Sequence, residues 1–115
     1  MAAPIIDHRE KIDAALIREV ADRIAAAFRP HRIVLFGSHA RGDASADSDL
    51  DLMVEMDTDR EFYDRSRAVS SIFGLRRWPL DVLVYTPAEV AQMKDVNGTM
   101  VNLIEREGKL LYTRS

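Results

Sequence analysis

Two short segments decide the fold of this 115-residue chain: FGSHARG at residues 36–42 and DLDL at residues 49–52. The first segment closes an apolar run over residues 33–36, which predicts a largely buried strand that ends in a glycine turn. The second segment alternates acidic and apolar residues, so it predicts a half-buried strand with two carboxylates on its open face. A short helix and a polar loop are expected between the two strands.

Helices and strands alternate along the rest of the chain. Apolar residues recur at three-to-four spacing over residues 12–28, which is typical of an amphipathic helix that Asp7 and Glu10 can cap and Pro30 ends. This alternation predicts an α/β fold in which helices cover one face of a sheet. The remaining predicted elements are a helix over residues 59–73, a strand over 80–85, a helix beginning at Thr86, a short helix after Gly98 and a short strand over 110–112.

The composition indicates a single domain over residues 1–115. The chain has no cysteine, which excludes disulfides and thiolate metal sites and is typical of a reducing compartment. Its longest unbroken apolar run, residues 24–28, is far shorter than the roughly 20 residues needed to cross a bilayer. We therefore expect a cytoplasmic protein without membrane contact.

The charge is unevenly distributed, although the total is only −3. Residues 43–64 hold nine acidic residues, with Arg60 as the one base. Such a run is often a solvated surface. It would repel nucleic-acid phosphate, so direct nucleic-acid binding is not expected, and the acidic segment points to a metal ion first.

Three aspartates share one predicted orientation. Asp49 and Asp51 lie two residues apart on a predicted strand, about 7 Å between their Cα atoms, and can converge on shared cations. Asp81 has the same outward phase on a neighbouring predicted strand. Oxygen-only ligands favour Mg²⁺ or Mn²⁺ over Zn²⁺. Taken singly, each aspartate could instead be a strand-edge charge that discourages aggregation.

The turn at Gly37 and Ser38 has the features of an anion site. A glycine-serine turn between a strand and a helix presents free backbone N–H groups and a hydroxyl, and the missing Cβ lets phosphate approach the backbone. Arg41 can add charged donors, although a salt bridge to the acidic loop is an equal alternative. His8, His31 and His39 are expected on the surface.

This pattern resembles the DNA polymerase β-like nucleotidyltransferase superfamily, most closely its minimal nucleotidyltransferases, which are encoded beside HEPN toxins. The resemblance rests on Gly37-Ser38, ten intervening residues, Asp49-x-Asp51, and Asp81 in an apolar context. It implies a mixed four-stranded sheet with helices packed mainly on one face. It also implies that Gly37 and Ser38 hold the triphosphate of ATP. Asp49 and Asp51 would ligate two Mg²⁺ or Mn²⁺ ions, and Asp81 would bind one metal and promote deprotonation of the acceptor. Arg41, next to this turn, is the further candidate for nucleotide binding.

The activity implied by the resemblance is transfer of AMP from ATP to a tyrosine hydroxyl of a partner HEPN toxin. The protein would then be an antitoxin that forms an oligomer with its partner. The alternative is an antitoxin that only occludes its toxin, but this gives no reason for three clustered carboxylates. We expect the partner to dock on an open sheet face that carries Met53, Leu83 and Tyr85, while Trp78 is either a core-edge aromatic or an interface residue.

Overall fold

The computed structural model describes residues 6–114. Its helices are α1 (Ala14–Phe28), α2 (Ser38–Arg41), α3 (Phe62–Ser70, followed by a 3₁₀ turn at Ser71–Phe73), α4 (Pro87–Met93) and α5 (Met100–Glu107). Its strands are β1 (Ile6–Asp7), β2 (Arg32–Phe36), β3 (Leu50–Glu55), β4 (Leu75–Arg76), β5 (Leu80–Tyr85) and β6 (Lys109–Thr113).

Four strands form a mixed sheet in the order β5-β3-β2-β6. Strand β3 is parallel to β5 and antiparallel to β2, which is in turn antiparallel to β6. This mixed α/β architecture confirms the predicted fold class. Because β2 and β3 are antiparallel, the last residue of β2 lies at the same end of the sheet as the first residues of β3 and β5.

Helix α1 and the segment from α3 to the 3₁₀ turn cover one face of the sheet. Leu16, Val20 and Ile24 of α1 are fully buried against alternate residues of β2, β3 and β5. Val69 of α3 and Phe73 of the 3₁₀ turn complete this core. The period-two pattern of the strands therefore supplies the inner face that the sequence predicts.

The opposite face is not open, and the predicted docking surface there is wrong. Met53 is fully buried, Tyr85 is 9% exposed and Leu83 is half-buried. Helices α4 and α5 cover these side chains with Val90 and with other apolar residues. The two helices are short and lie between β5 and β6, and the sequence pattern did not show which face they would cover.

The helix ends follow local capping rules. The carboxylate of Asp13, not Asp7 or Glu10 as predicted, caps α1 by accepting the N–H of Leu16 at 2.8 Å. The predicted start of α4 is confirmed, since Thr86 and Glu89 form a reciprocal capping box. These caps fix the two helix starts without long-range contacts.

The segment before α1 packs against the chain that leads into β5. Strands β1 and β4 form a separate two-residue parallel pair, which the sequence did not predict. The Asp7 carboxylate accepts hydrogen bonds from Arg9 and from the indole N–H of Trp78, the latter at 2.9 Å. Trp78 is 1% exposed, so it is a core residue and not a surface anchor. Among the described helices, none is both long and apolar enough to span a bilayer.

Candidate active site

Asp51 and Asp81 lie directly opposite one another on parallel strands β3 and β5. They share the sheet face that carries Met53, two residues further along β3, so they lie beyond the part of this face that α4 and α5 cover. Asp51 is half-buried and Asp81 is exposed. The register therefore places two carboxylates side by side at the end of the sheet.

Asp49 lies just before β3 and is exposed, whereas the sequence predicted it within the strand. The ladder with β5 begins one residue later, where the N–H of Leu50 donates to the carbonyl of Pro79 at 2.9 Å. This hydrogen bond holds the start of β3 beside the start of β5. Asp49 is therefore next to the Asp51–Asp81 pair, but it lies outside the strand itself.

The three carboxylates interact electrostatically. Burial raises the pKa of Asp51, and the negative charges of Asp81 and Asp49 raise it further. Arg41, and His39 when it is protonated, oppose this increase but do not cancel it. Burial and the two neighbouring carboxylates therefore disfavour the charged form of Asp51.

Gly37 shapes the space beside Asp51. Its backbone has φ 75° and ψ −157°, a conformation that side chains rarely permit. A Cβ at this position would lie 2.3 Å from Oδ2 of Asp51. From the sequence, the glycine is explained by the approach of a phosphate. The structure adds a second reason, because the Asp51 carboxylate on the neighbouring strand β3 lies where a side chain would be.

Ser38 begins the single turn of α2, where Gly37 is the N-cap. The N–H groups of Ala40 and Arg41 both donate to the Gly37 carbonyl at 3.1 Å. Those of Ser38 and His39 are therefore the ones in this turn that lack an intrahelical partner and can face a ligand. Arg41 pairs with Asp43 at 3.3 Å between Nε and Oδ2, and both side chains are exposed. The predicted salt bridge to the acidic loop is thus present.

Comparison with known proteins identifies the family. Residues 17–112 match the family described as "Nucleotidyltransferase domain". This chain belongs to that family. It is 26% identical over 99 residues to a protein of Methanocaldococcus jannaschii named "putative protein adenylyltransferase", with 84% of this chain and 94% of that protein covered. It is also similar to a crystal structure from Sulfolobus solfataricus described as a "putative nucleotidyltransferase", with 25% identity, a TM-score of 0.60, and 87% of this chain and 79% of that chain covered.

His39 of this nucleotidyltransferase domain departs from the surface position that was predicted. Its ring is half-buried, and Nε2 is shielded from solvent without a hydrogen-bond partner within the described residues. His8 is exposed, and His31 is half-buried and bonds to Asp57 Oδ2 at 2.9 Å. His39 is therefore the one of the three that lies against the candidate site, directly after Ser38.

A cleft of about 1110 Å³ lies beside the aspartates of the nucleotidyltransferase domain. It is lined by residues 10–12, His39, residues 44–48, Arg77 and Pro79. The lining meets the candidate site at three points along the chain, because His39 follows Ser38, residue 48 precedes Asp49, and Pro79 lies two residues before Asp81. No sequence pattern indicates this cleft, since its walls come from four separate segments.

The carboxylates fit a divalent cation in their chemistry, although they do not form a closed site. Within residues 6–114, no three histidine, aspartate or glutamate side chains lie close enough to hold one metal ion. Like charges repel, so carboxylates do not converge fully until a cation neutralises them. The carboxylates offer only oxygen donors, which are the ligands that Mg²⁺ and Mn²⁺ prefer. A bound cation would also favour the charged form of Asp51, which burial and the neighbouring carboxylates disfavour.

Proposed function

We propose that this protein transfers AMP from ATP to a tyrosine hydroxyl of a partner HEPN toxin and thereby acts as an antitoxin. The observation that carries the proposal is the register of Asp51 and Asp81, side by side next to the Gly37 turn. The family match supports nucleotidyl transfer, and the name of the M. jannaschii relative supports a protein acceptor.

Asp49, Asp51 and Asp81 would hold two Mg²⁺ ions, with Mn²⁺ as a substitute. When bound, such ions would neutralise charge on the phosphates and favour ionisation of the acceptor hydroxyl. The residues contribute a fixed pair, Asp51 and Asp81, and an exposed third carboxylate at Asp49 that can turn inward. Neutralisation would also relieve the repulsion that raises the pKa of Asp51.

Gly37, Ser38 and Arg41 would bind the triphosphate of ATP. The Gly37 turn would present the Ser38 hydroxyl and the N–H groups of Ser38 and His39, which have no intrahelical partner. The Arg41 pair with Asp43 is exposed, and exposed pairs contribute about 0–1 kcal/mol, so Arg41 can exchange this partner for a phosphate at little cost. Arg41 can therefore pair with Asp43 in the absence of nucleotide and contact a phosphate when ATP is bound.

Asp81 would receive the proton of the acceptor. In the transfer, the tyrosine oxygen forms a bond to the α-phosphorus of ATP while the bond from this phosphorus to the bridging oxygen breaks, and pyrophosphate leaves. Asp81 is exposed on the edge strand β5, so a hydroxyl from a second protein can reach it. Asp51 is half-buried on the inner strand β3. It is therefore better placed to orient a bound metal ion than to contact the acceptor.

The partner in this proposal is a folded protein in the cytoplasm, bound in a stable complex, and not a nucleic acid. The acidic segment over residues 43–64 disfavours a polyanionic acceptor. Because α4 and α5 cover Met53 and Tyr85, the partner would approach the end of the sheet and its β5 edge.

An antitoxin that occludes its toxin without chemistry is the alternative. One observation favours it, namely that within the described residues no three ligating side chains are assembled for a metal ion. The two hypotheses differ in their need for nucleotide, because occlusion requires neither ATP nor Mg²⁺.

Intact mass spectrometry tests the proposal. The chain is incubated with Mg·ATP and with the protein encoded beside it, which the proposal expects to be of HEPN type. Mg·α,β-methylene-ATP is the matched control, because it cannot release AMP. We expect the partner to gain the mass of one or more AMP groups with ATP only, and to lose this gain in EDTA. A partner that is neutralised at unchanged mass would contradict AMP transfer and support occlusion.

A further inference from the structure

The cleft of about 1110 Å³ beside the aspartates has no role in the phosphate and metal chemistry described above. Its volume exceeds what most small ligands require, since small-molecule pockets span roughly 300–1,000 Å³. One wall, Arg77 and Pro79, leads directly into β5 and Asp81. The loop over residues 44–48 forms another wall and leads into Asp49.

The order of the strands indicates which reactant approaches from this side. If the Gly37 turn at the end of β2 holds the departing pyrophosphate, β3 with Asp51 lies between that turn and β5. In-line displacement requires the attacking and leaving oxygens on opposite sides of the phosphorus. The acceptor would then approach from the β5 side, where Arg77 and Pro79 line the cleft, while His39 lines the part of the cleft beside the Gly37 turn.

The lining suits a polypeptide. It carries fixed charges of both signs, with Glu10 and Asp47 as acids and Lys11 and Arg77 as bases. Glu10 and Arg77 form an exposed ion pair at 2.9 Å, and surface pairs of this kind break easily. Small residues and hydroxyls from the loop complete the lining, so both backbone groups and side chains of an extended chain could be accommodated.

We infer that this cleft binds the residues that flank the acceptor tyrosine in the partner protein. The inference rests on the proposed function and extends it by assigning acceptor specificity to a surface outside the aspartates. Lys11 is exposed in the lining and carries no role in the chemistry, so it is the residue through which the cleft can select the charge of the flanking sequence.

The test uses two acceptor probes, N-acetyltyrosinamide and a library of peptides with a central tyrosine and randomised flanks, with Mg·ATP as donor. N-acetyltyrosinamide reports the chemistry alone, because it has no flanks to fill the cleft. We expect the wild-type chain to modify both probes and to prefer acidic residues at one flanking position. Failure of the wild-type chain to modify either probe would contradict this inference. The intact mass of the folded partner, measured as above, then shows separately whether the proposed function also fails.

Two variants then separate the cleft from the chemistry. Ala46→Trp fills the cleft from its exposed loop and should lower kcat/KM for the preferred peptide by about tenfold or more, while its rate with N-acetyltyrosinamide and its Kd for Mg·ATP stay unchanged. Ala27→Trp, on the exposed side of α1, is the matched control and should change none of these values. Lys11→Glu should reverse the flanking preference from acidic to basic residues, a result that a loss of folding cannot produce.

Two results would overturn the inference while leaving the proposed function intact. One is an unchanged peptide preference in both Ala46→Trp and Lys11→Glu. The other is a weaker Kd for Mg·ATP in Ala46→Trp, which would assign the cleft to the nucleotide.

Discussion

The Cα of Gly37 faces the Asp51 carboxylate so closely that a Cβ there would lie 2.3 Å from Oδ2. Gly37 directly follows β2, and Asp51 lies on the neighbouring strand β3, where it pairs with Phe36, the last residue of β2. The turn that would bind phosphate and the carboxylate that would bind metal are thus in direct contact. A change at one is expected to displace the other.

Gly37→Ala should abolish Mg·ATP binding and lower the melting temperature. The new methyl group would displace Asp51 and would also occupy a backbone conformation that costs of order 1–3 kcal/mol for a non-glycine residue. Calorimetric titration with Mg·ATP and thermal denaturation measure the two effects.

Gly42→Ala is the matched control for this change. Gly42 also has a positive φ, 86°, but a Cβ there would meet no atom within 4 Å. This variant should lose some stability and keep nucleotide affinity. Equal loss of affinity in both variants would show that backbone strain, and not contact with Asp51, is responsible.

Asp51→Asn should stabilise the metal-free protein at neutral pH. Burial, followed by the charges of Asp81 and Asp49, raises the pKa of Asp51 in the folded state. The folded protein therefore keeps this proton to a higher pH than the unfolded chain does, and stability falls as the pH rises through the folded pKa. Asn does not ionise, so the variant does not lose stability in this way as the pH rises.

Thermal denaturation of both proteins in EDTA, from pH 7 down to about pH 4, the ordinary pKa of aspartate, checks this prediction. The advantage of Asp51→Asn should be largest at pH 7 and shrink toward pH 4. A variant that is less stable than the wild type at pH 7 would instead indicate that the Asp51 carboxylate has a structural role.

The strands of the sheet were predictable because each carries an uninterrupted apolar or alternating pattern. Strand β5, for example, has the predicted bounds Leu80–Tyr85. Asp49 was misplaced by one residue, because alternation continues through it while the ladder with β5 begins at Leu50. The pair β1 and β4 was missed since two residues carry no periodicity.

Long-range contacts were beyond prediction for a different reason. The sequence pattern shows that Met53 and Tyr85 share a face, but it does not show that α4 and α5 fold back over them. The same holds for Asp7, whose partner Trp78 lies 71 residues away. The side-by-side position of Asp51 and Asp81 was expected from their phase, whereas the contact with Gly37 required the register of β2 and β3.

Met53→Ala should destabilise the protein by about 2–5 kcal/mol, the usual cost of emptying a core site of this size. Met53 is fully buried under α4 and α5, so truncation of its side chain leaves a cavity in the core. Urea denaturation measures the change. A loss below about 1 kcal/mol, typical of surface positions, would support the open face that the sequence predicted.

Asp7→Asn should loosen the segment that forms one wall of the cleft. Hydrogen bonds from Arg9, and then from Trp78, hold the pKa of Asp7 well below its usual range. The stabilisation is present above about pH 4, the ordinary pKa of aspartate, and is lost as the pH falls further. At pH 7 the variant should therefore melt at a lower temperature than the wild type, and this gap should narrow in acid.

The fluorescence of Trp78, the only tryptophan of the chain, reports the same change. Its emission should shift in Asp7→Asn, because the carboxylate that accepts its indole N–H is gone. Glu19→Gln is the matched control, since it removes the other carboxylate partner of Arg9 but no partner of Trp78. An identical emission shift in both variants would mean that Arg9, not Asp7, positions the indole.

Asp81→Asn tests the central claim most directly, because it removes one negative charge at an exposed position while keeping the shape of the side chain. Binding to the HEPN-type partner and the AMP mass added to it are measured on the same samples. We expect the complex to form with unchanged affinity, no AMP to be added, and protection of cells that express the toxin to be lost. Full protection by Asp81→Asn with no mass added to the toxin would contradict catalysis and leave occlusion as the mechanism.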